Sequence, residues 1–141
     1  MIEKSASAVW TGSLKEGGGT LNTQSGALHD LPYTFAARFE GQKGTNPEEL
    51  IGAAHAGCYA MFLSALMSGA GIGGISVEAT STIGLDPTTE GGPTVKTARL
   101  TVRAKADTDA ATIRDLAEKA KAGCPISKLL KAEVTLDLTV G

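Results

Sequence analysis

Residues 46–71, NPEELIGAAHAGCYAMFLSALMSGAG, constrain the fold of this chain more than any other stretch. Asn46 can cap a helix whose first position is Pro47, where the missing N–H is no loss, and Glu49 then falls three residues on to complete a capping-box-like start. Glu48 is left free for another task. Leu50, Ile51, Ala54, Met61, Phe62, Leu63, Leu66 and Met67 spread over too much of the circumference for a surface helix, and the glycines of GAGIGG end it at about Ser68. The pattern predicts a central, buried helix with one of the chain's two cysteines, Cys58, in its middle.

A chain of 141 residues has material for one hydrophobic core and predicts a single domain over 1–141. The net charge of -2, with no block of like charges, excludes an electrostatic footprint for nucleic acid or an acidic membrane surface. His55, Ser64 and several glycines interrupt the one long apolar run, which argues against a membrane span, and MIEKSASAVW lacks the apolar region of a signal peptide. The expected location is the cytoplasm. There a structural disulfide is kept reduced, so Cys58 and Cys124 are buried fillers, metal ligands or redox-active thiols.

Along the chain, SASAVWTGSL and TLNTQSGAL read as two strands around the EGGG turn, with a further turn at LHDLPY. FAARFEGQKG (35–44) has no clear period and reads as a loop carrying Arg38. After the long helix, ISVEATSTIGL and VKTARLTVRAKA alternate as strands around a DPTTEGGP hairpin loop. In the second, Ala98, Leu100, Val102 and Ala104 point inward, and Arg99, Arg103 and Lys105 form a solvated face. Asp107 or Asp109 opens an amphipathic helix with Ile113, Leu116, Ala117 and Ala120 on one stripe, closed by Gly123. CPISKLL then repeats the helix-start grammar with Cys124 at the cap and Pro125 next, before the strand EVTLDLTV. The order ββ-α-ββ-α-α-β is an α+β fold.

PYTFAARFEGQKGTNPEELIGAAHAGC and, farther on, KAGCPISKLLKAEVTLDL resemble the OsmC branch of the OsmC/Ohr family of thiol-dependent organic hydroperoxide reductases. The resemblance covers nearly the whole chain, and His55 in AAHAGC is similar to the OsmC rather than the Ohr branch. It implies an intertwined α+β homodimer, β-sheets wrapped around the central helix and active sites at the subunit interface. It further implies a peroxiredoxin-like enzyme that reduces organic hydroperoxides to alcohols, without metal or cofactor, and is re-reduced by a dithiol electron donor such as a dihydrolipoyl protein. Residue by residue, it makes Cys58 the peroxidatic thiol, Cys124 the resolving thiol, and Arg38 and Glu48 their supporting ion pair. Gly57 stands where alanine is common and Tyr59 where phenylalanine is common, so that Tyr59 would alter the pocket.

That chemistry meets physical need. A thiolate cleaves the peroxide O–O bond, whereas apolar surroundings raise a cysteine's pKa, so Cys58 requires a nearby positive charge. The helix dipole is concentrated in the end turns and Cys58 lies well inside. Arg38 stays protonated when desolvated and offers a planar fork of donors, which Glu48 would orient. The sulfenic acid formed on Cys58 would condense with Cys124, whose position at a helix start favours its thiolate. Leu50, Ala54, Met61 and Phe62 on the same helix predict an apolar approach suited to bulky organic substrates. The ten residues between Glu48 and Cys58 correspond to a rise of roughly 15 Å, which suggests that Glu48 of one subunit supports Arg38 beside Cys58 of the other. Two alternatives stand beside this reading: a binding or structural protein with silent thiols, and a metal-binding protein using His55, the cysteines and His29.

Overall fold

The computed structural model describes residues 1–141 and contains six strands and four helices. They group into two compact units, Met1–Leu50 and Ile51–Gly141, with the long helix running from the end of the first into the second.

In the first unit, strands β1 (Ala6–Thr11), β2 (Gly18–Thr23) and β3 (Leu31–Tyr33) form an antiparallel sheet in that order. Trp10 and Tyr33 meet across β2 with ring centroids 5.3 Å apart, above Gly19, where a Cβ would collide with the Val9 carbonyl and both rings. β3 corrects the turn expected at LHDLPY. Pro32 is tolerated because β3 is an edge strand that has no second partner to donate to. Helix α1 (Phe35–Phe39) corrects the loop expected at 35–44. Its N-cap is Thr34, whose hydroxyl accepts from the Ala37 N–H at 3.1 Å. Five residues are too few to display a helical period, which is why the sequence pattern is silent there.

Helix α2 (Pro47–Gly69) begins as the sequence predicts, with the Asn46 side chain accepting from the Glu49 N–H at 2.8 Å. The Glu49 carboxylate accepts from the Thr45 hydroxyl at 2.9 Å, so the box closes one residue earlier than the usual pattern. Within one chain α2 buries only a stripe, Gly52, His55, Tyr59, Leu63 and Met67, and Met61 is 78% exposed. By length and composition α2 is apolar enough to cross a membrane, contrary to the sequence expectation, because the interrupting residues are small or singly polar. Its buried stripe nevertheless packs into the protein core of the second unit.

That unit holds β4 (Ser76–Asp86), antiparallel to β5 (Thr94–Lys105), and β6 (Glu133–Val140), parallel to β5. β5 buries Ala98, Leu100, Val102 and Ala104, as its alternation requires. Helix α3 (Ala110–Gly123) is capped by Asp109, whose carboxylate accepts from the Thr112 N–H at 2.7 Å, and buries Ile113, Ala117 and Ala120. Helix α4 (Pro125–Leu129) follows with Cys124 at its N-cap. Tyr59, Leu63 and Met67 join the inward residues of β5 and α3, and Cys124, in one apolar core, each large side chain contributing roughly 1.5–3 kcal/mol by burial.

Candidate functional site

The four sequence-predicted site residues come together as two pairs, each within its own unit. In the first, Arg38 near the end of α1 grips Glu48 in the first turn of α2. Arg38 Nη2 donates to Glu48 Oε1 at 2.7 Å, and Nε lies 3.1 and 3.2 Å from the two carboxylate oxygens. Glu48 is nearly covered, with a side-chain exposure of 12%, while Arg38 keeps 37%. The fork geometry fixes the guanidinium in direction as well as charge. Its plane also lies over the Phe39 ring, 5.1 Å from the centroid. The short α1, invisible to pattern analysis, is therefore what presents the arginine.

The second pair is the thiols. Cys58 and Cys124 are both free, and their sulfurs lie 2.9 Å apart in a hydrogen bond. Cys58 is partly exposed and Cys124 is fully buried. Burial pushes the Cys58 thiol up, the hydrogen bond and charge of Cys124 push it further, and the Ile126 N–H offsets only part of this. Burial also pushes Cys124 up, but its hydrogen bond with Cys58 and the polar groups of Ser127 and Ile126 beside it outweigh this and shift it below its ordinary value.

A third constellation went unread in the sequence. His55, fully buried one turn before Cys58, has Nδ1 2.7 Å from the Ser81 hydroxyl of β4 and Nε2 2.8 Å from the Ser127 hydroxyl of α4. Burial lowers its pKa, so the ring is held neutral. Ser81 follows Val77 and Ala79 on the inward face of β4, and a serine in that register was the available signal. With both ring nitrogens engaged by hydroxyls, His55 has no lone pair aimed at an open site. His29, the further ligand a metal reading would call on, is exposed beside Asp30. Tyr59 is buried in the core rather than facing a pocket, and its hydroxyl donates to the Ala117 carbonyl at 3.1 Å.

Comparison with known proteins places the chain in a family. Residues 40–139 match the family model described as OsmC-like protein. The chain is 48% identical over 136 residues to the peroxiredoxin OsmC of Escherichia coli strain K12, covering 96% of this chain and 95% of that one. It is 29% identical over 126 residues to organic hydroperoxide resistance protein-like 1 of Staphylococcus saprophyticus, covering 86% of each. The crystal structure of the organic hydroperoxide resistance protein OhrB of Bacillus subtilis superposes with a TM-score of 0.72 at 28% identity, covering 97% of this chain and 98% of that one. A family match that spans both cysteines and extends along most of an α+β chain leaves no ambiguity of descent: the chain belongs to the OsmC-like protein family.

Proposed function

We propose that this protein is a thiol peroxidase that reduces organic hydroperoxides to alcohols, with Cys58 as the peroxidatic and Cys124 as the resolving cysteine. The observation that carries the reading is the pair of free sulfurs 2.9 Å apart, one reachable by substrate and one buried. In the first step the Cys58 thiolate attacks the terminal peroxide oxygen. The O–O bond breaks, the alkoxide takes up a proton to leave as alcohol, and Cys58 becomes a sulfenic acid. In the second step the Cys124 thiolate attacks that sulfur and expels hydroxide, which is protonated to water. The two sulfurs have given up two electrons, and a dithiol donor returns them by thiol–disulfide exchange.

The first step needs a cation, because the surroundings that one chain provides raise the Cys58 pKa. The Arg38–Glu48 pair is suited to that role. Glu48 is ten residues before Cys58 on α2, a rise of roughly 15 Å, so an arginine held by Glu48 is best placed for the Cys58 of a second copy. A homodimer with composite sites is therefore part of the proposal, with the whole chain acting as one OsmC-like domain. The names of the E. coli and B. subtilis relatives, a peroxiredoxin and an organic hydroperoxide resistance protein, support the peroxidase activity. Ala54 and Met61, exposed near Cys58 along α2, offer apolar contact at about 25 cal/mol per Å² to a bulky hydroperoxide and little to hydrogen peroxide. The cytoplasm, where free thiols persist, is the compartment this reading fits. The test is a thiol count before and after an equimolar amount of cumene hydroperoxide. Both thiols should disappear together and return with a dithiol. Retention of both would leave a binding protein with silent cysteines.

A further inference from the structure

Three residues of α2 meet three residues of the α3–α4 junction in antiparallel order. His55 Nε2 lies 2.8 Å from the Ser127 hydroxyl, the Cys58 and Cys124 sulfurs are 2.9 Å apart, and Phe62 lies over Gly123, where a Cβ would stand 3.0 and 3.2 Å from its ring. The thiols are thus the middle contact, with a hydrogen bond on one side and an aromatic ring on the other. His55 and Cys58, three residues apart, share one face of α2 about 4.5 Å apart along its axis. Cys124 and Ser127 repeat that spacing at the start of α4.

α4 has few other means of holding its direction. Five residues are too few for a self-supporting helix, and the Cys124 side chain does not cap it. Leu129 is exposed, and of the α4 side chains only Ile126 and Ser127 turn inward, Ile126 against the apolar core. Apolar packing has no preferred direction, whereas a hydrogen bond requires one. His55 is anchored on its other side by the Ser81 hydroxyl of β4, 2.7 Å from Nδ1, so the buried imidazole joins the sheet to α4. From α3, the Ala120 carbonyl accepts the Cys124 N–H at 2.9 Å, which leaves the extended backbone at Cys124 as the pivot between the two helices.

We propose that His55 is a positioning residue for the thiol pair, acting through α4: its bond to Ser127 fixes the pivot so that Cys124 faces Cys58, which raises the effective concentration of one thiol at the other. Disulfide formation takes two electrons and two protons from the pair, which an oxidised dithiol accepts by exchange, and brings the sulfurs from 2.9 Å to bonding distance. With α4 already held, that closure is a small adjustment. Without the His55–Ser127 bond, α4 samples other orientations in the reduced protein, and this freedom is lost when the disulfide forms. The disulfide is then easier to reduce.

This role rests on the peroxidase reading, but the test needs no peroxide, so the two can fail separately. The protein is equilibrated with mixtures of reduced and oxidised dithiothreitol, and the disulfide between its only two cysteines is counted by mass after alkylation of free thiols. Ser127→Ala removes one oxygen, and His55→Asn still reaches Ser81 but not Ser127. Each should lower the equilibrium constant for the disulfide about tenfold, a shift of about 30 mV and the scale of one hydrogen bond. The two together should add little to either alone, because they delete the same contact. His55→Gln extends an amide to the Nε2 position and should recover most of the constant. A tie that only stabilises the fold would lower the unfolding midpoints of the reduced and oxidised forms alike and leave this equilibrium where it is. Where His55→Asn does not fold, Ser127→Ala carries the test. An unmoved equilibrium in folded Ser127→Ala protein would overturn the proposal, reduce His55 to a structural tie and leave the peroxidase reading standing.

Discussion

Cys58 and Cys124 touch, and in the proposed reaction their different surroundings would divide the work between them. Access favours Cys58 for peroxide, since Cys124 is fully buried, while charge stabilisation favours Cys124 as the second nucleophile. Cys58→Ser should therefore abolish peroxide reduction. Cys124→Ser should permit one turnover and then stall with oxygen on Cys58, which intact-mass analysis would register as added oxygen. An unmodified Cys124→Ser protein after peroxide would reverse the assignment. His55 supplies a second prediction, on stability. Burial holds its folded-state pKa below the ordinary imidazole value of about 6.5, so as pH falls through that value the unfolded chain takes up the proton before the folded one does. Stability should thus be complete above about 6.5 and decline as pH drops toward the lower folded value. Asp86 and Asp109 are also held low, chiefly by hydrogen bonds from Thr88 and from Thr112, so their contributions disappear only as pH falls below the ordinary carboxylate range. Urea midpoints measured between pH 7 and pH 5 would test this; His55→Asn should flatten the slope there, even though it costs stability overall.

Among the elements, α2 carries a natural control experiment in its two interior glycines before Cys58. In a solvent-facing helix interior, Gly→Ala gains roughly 0.5–1 kcal/mol of backbone entropy. At Gly57, where a Cβ would meet nothing within 4 Å, that gain should appear as a higher unfolding midpoint. At Gly52 the same methyl would press on the Ser81 carbonyl at 2.8 Å, and overpacking of about 1–3 kcal/mol should outweigh the gain and lower the midpoint. A destabilising Gly57→Ala would mean that something beyond this chain covers the face. Much of the element order was legible because α2, β5 and α3 are long enough to display a period and to carry explicit caps at Asn46 and Asp109. β3 and α1 escaped because a three-residue strand and a five-residue helix repeat nothing. In the site, the cysteines and the Arg38–Glu48 pair were legible through family resemblance. The His55 chain was not, because Ser81 and Ser127 are ordinary residues until folding brings β4 and α4 to the same imidazole.

For the whole molecule, the proposed reaction requires the ion pair and the thiols to act together. α2 leaves a broad apolar surface uncovered in a single chain, with Met61 78% exposed and Ala54 on the open side, more than a helix of this length ordinarily presents to water. A two-fold partner would cover it and bring a second Arg38–Glu48 pair with it. Arg38 donates three hydrogen bonds to Glu48, so breaking it away to reach a sulfur roughly 15 Å farther along the same helix would sacrifice a nearly covered, charge-assisted pair. Serving the partner's thiol costs no such rupture. Complementation decides between these arrangements. Cys58→Ser and Arg38→Ala proteins, each inactive or nearly so alone, are unfolded together and refolded as a mixture. If Arg38 serves the other chain, each mixed dimer contains one intact combination, the thiol of one subunit with the arginine of its partner, and should regain up to half the wild-type activity per dimer. If each chain serves itself, every site in the mixture lacks one group and activity stays at the level of the parents. The second result would place the cation in cis and require Arg38 to leave Glu48 during turnover, which Glu48→Ala should then accelerate rather than impair.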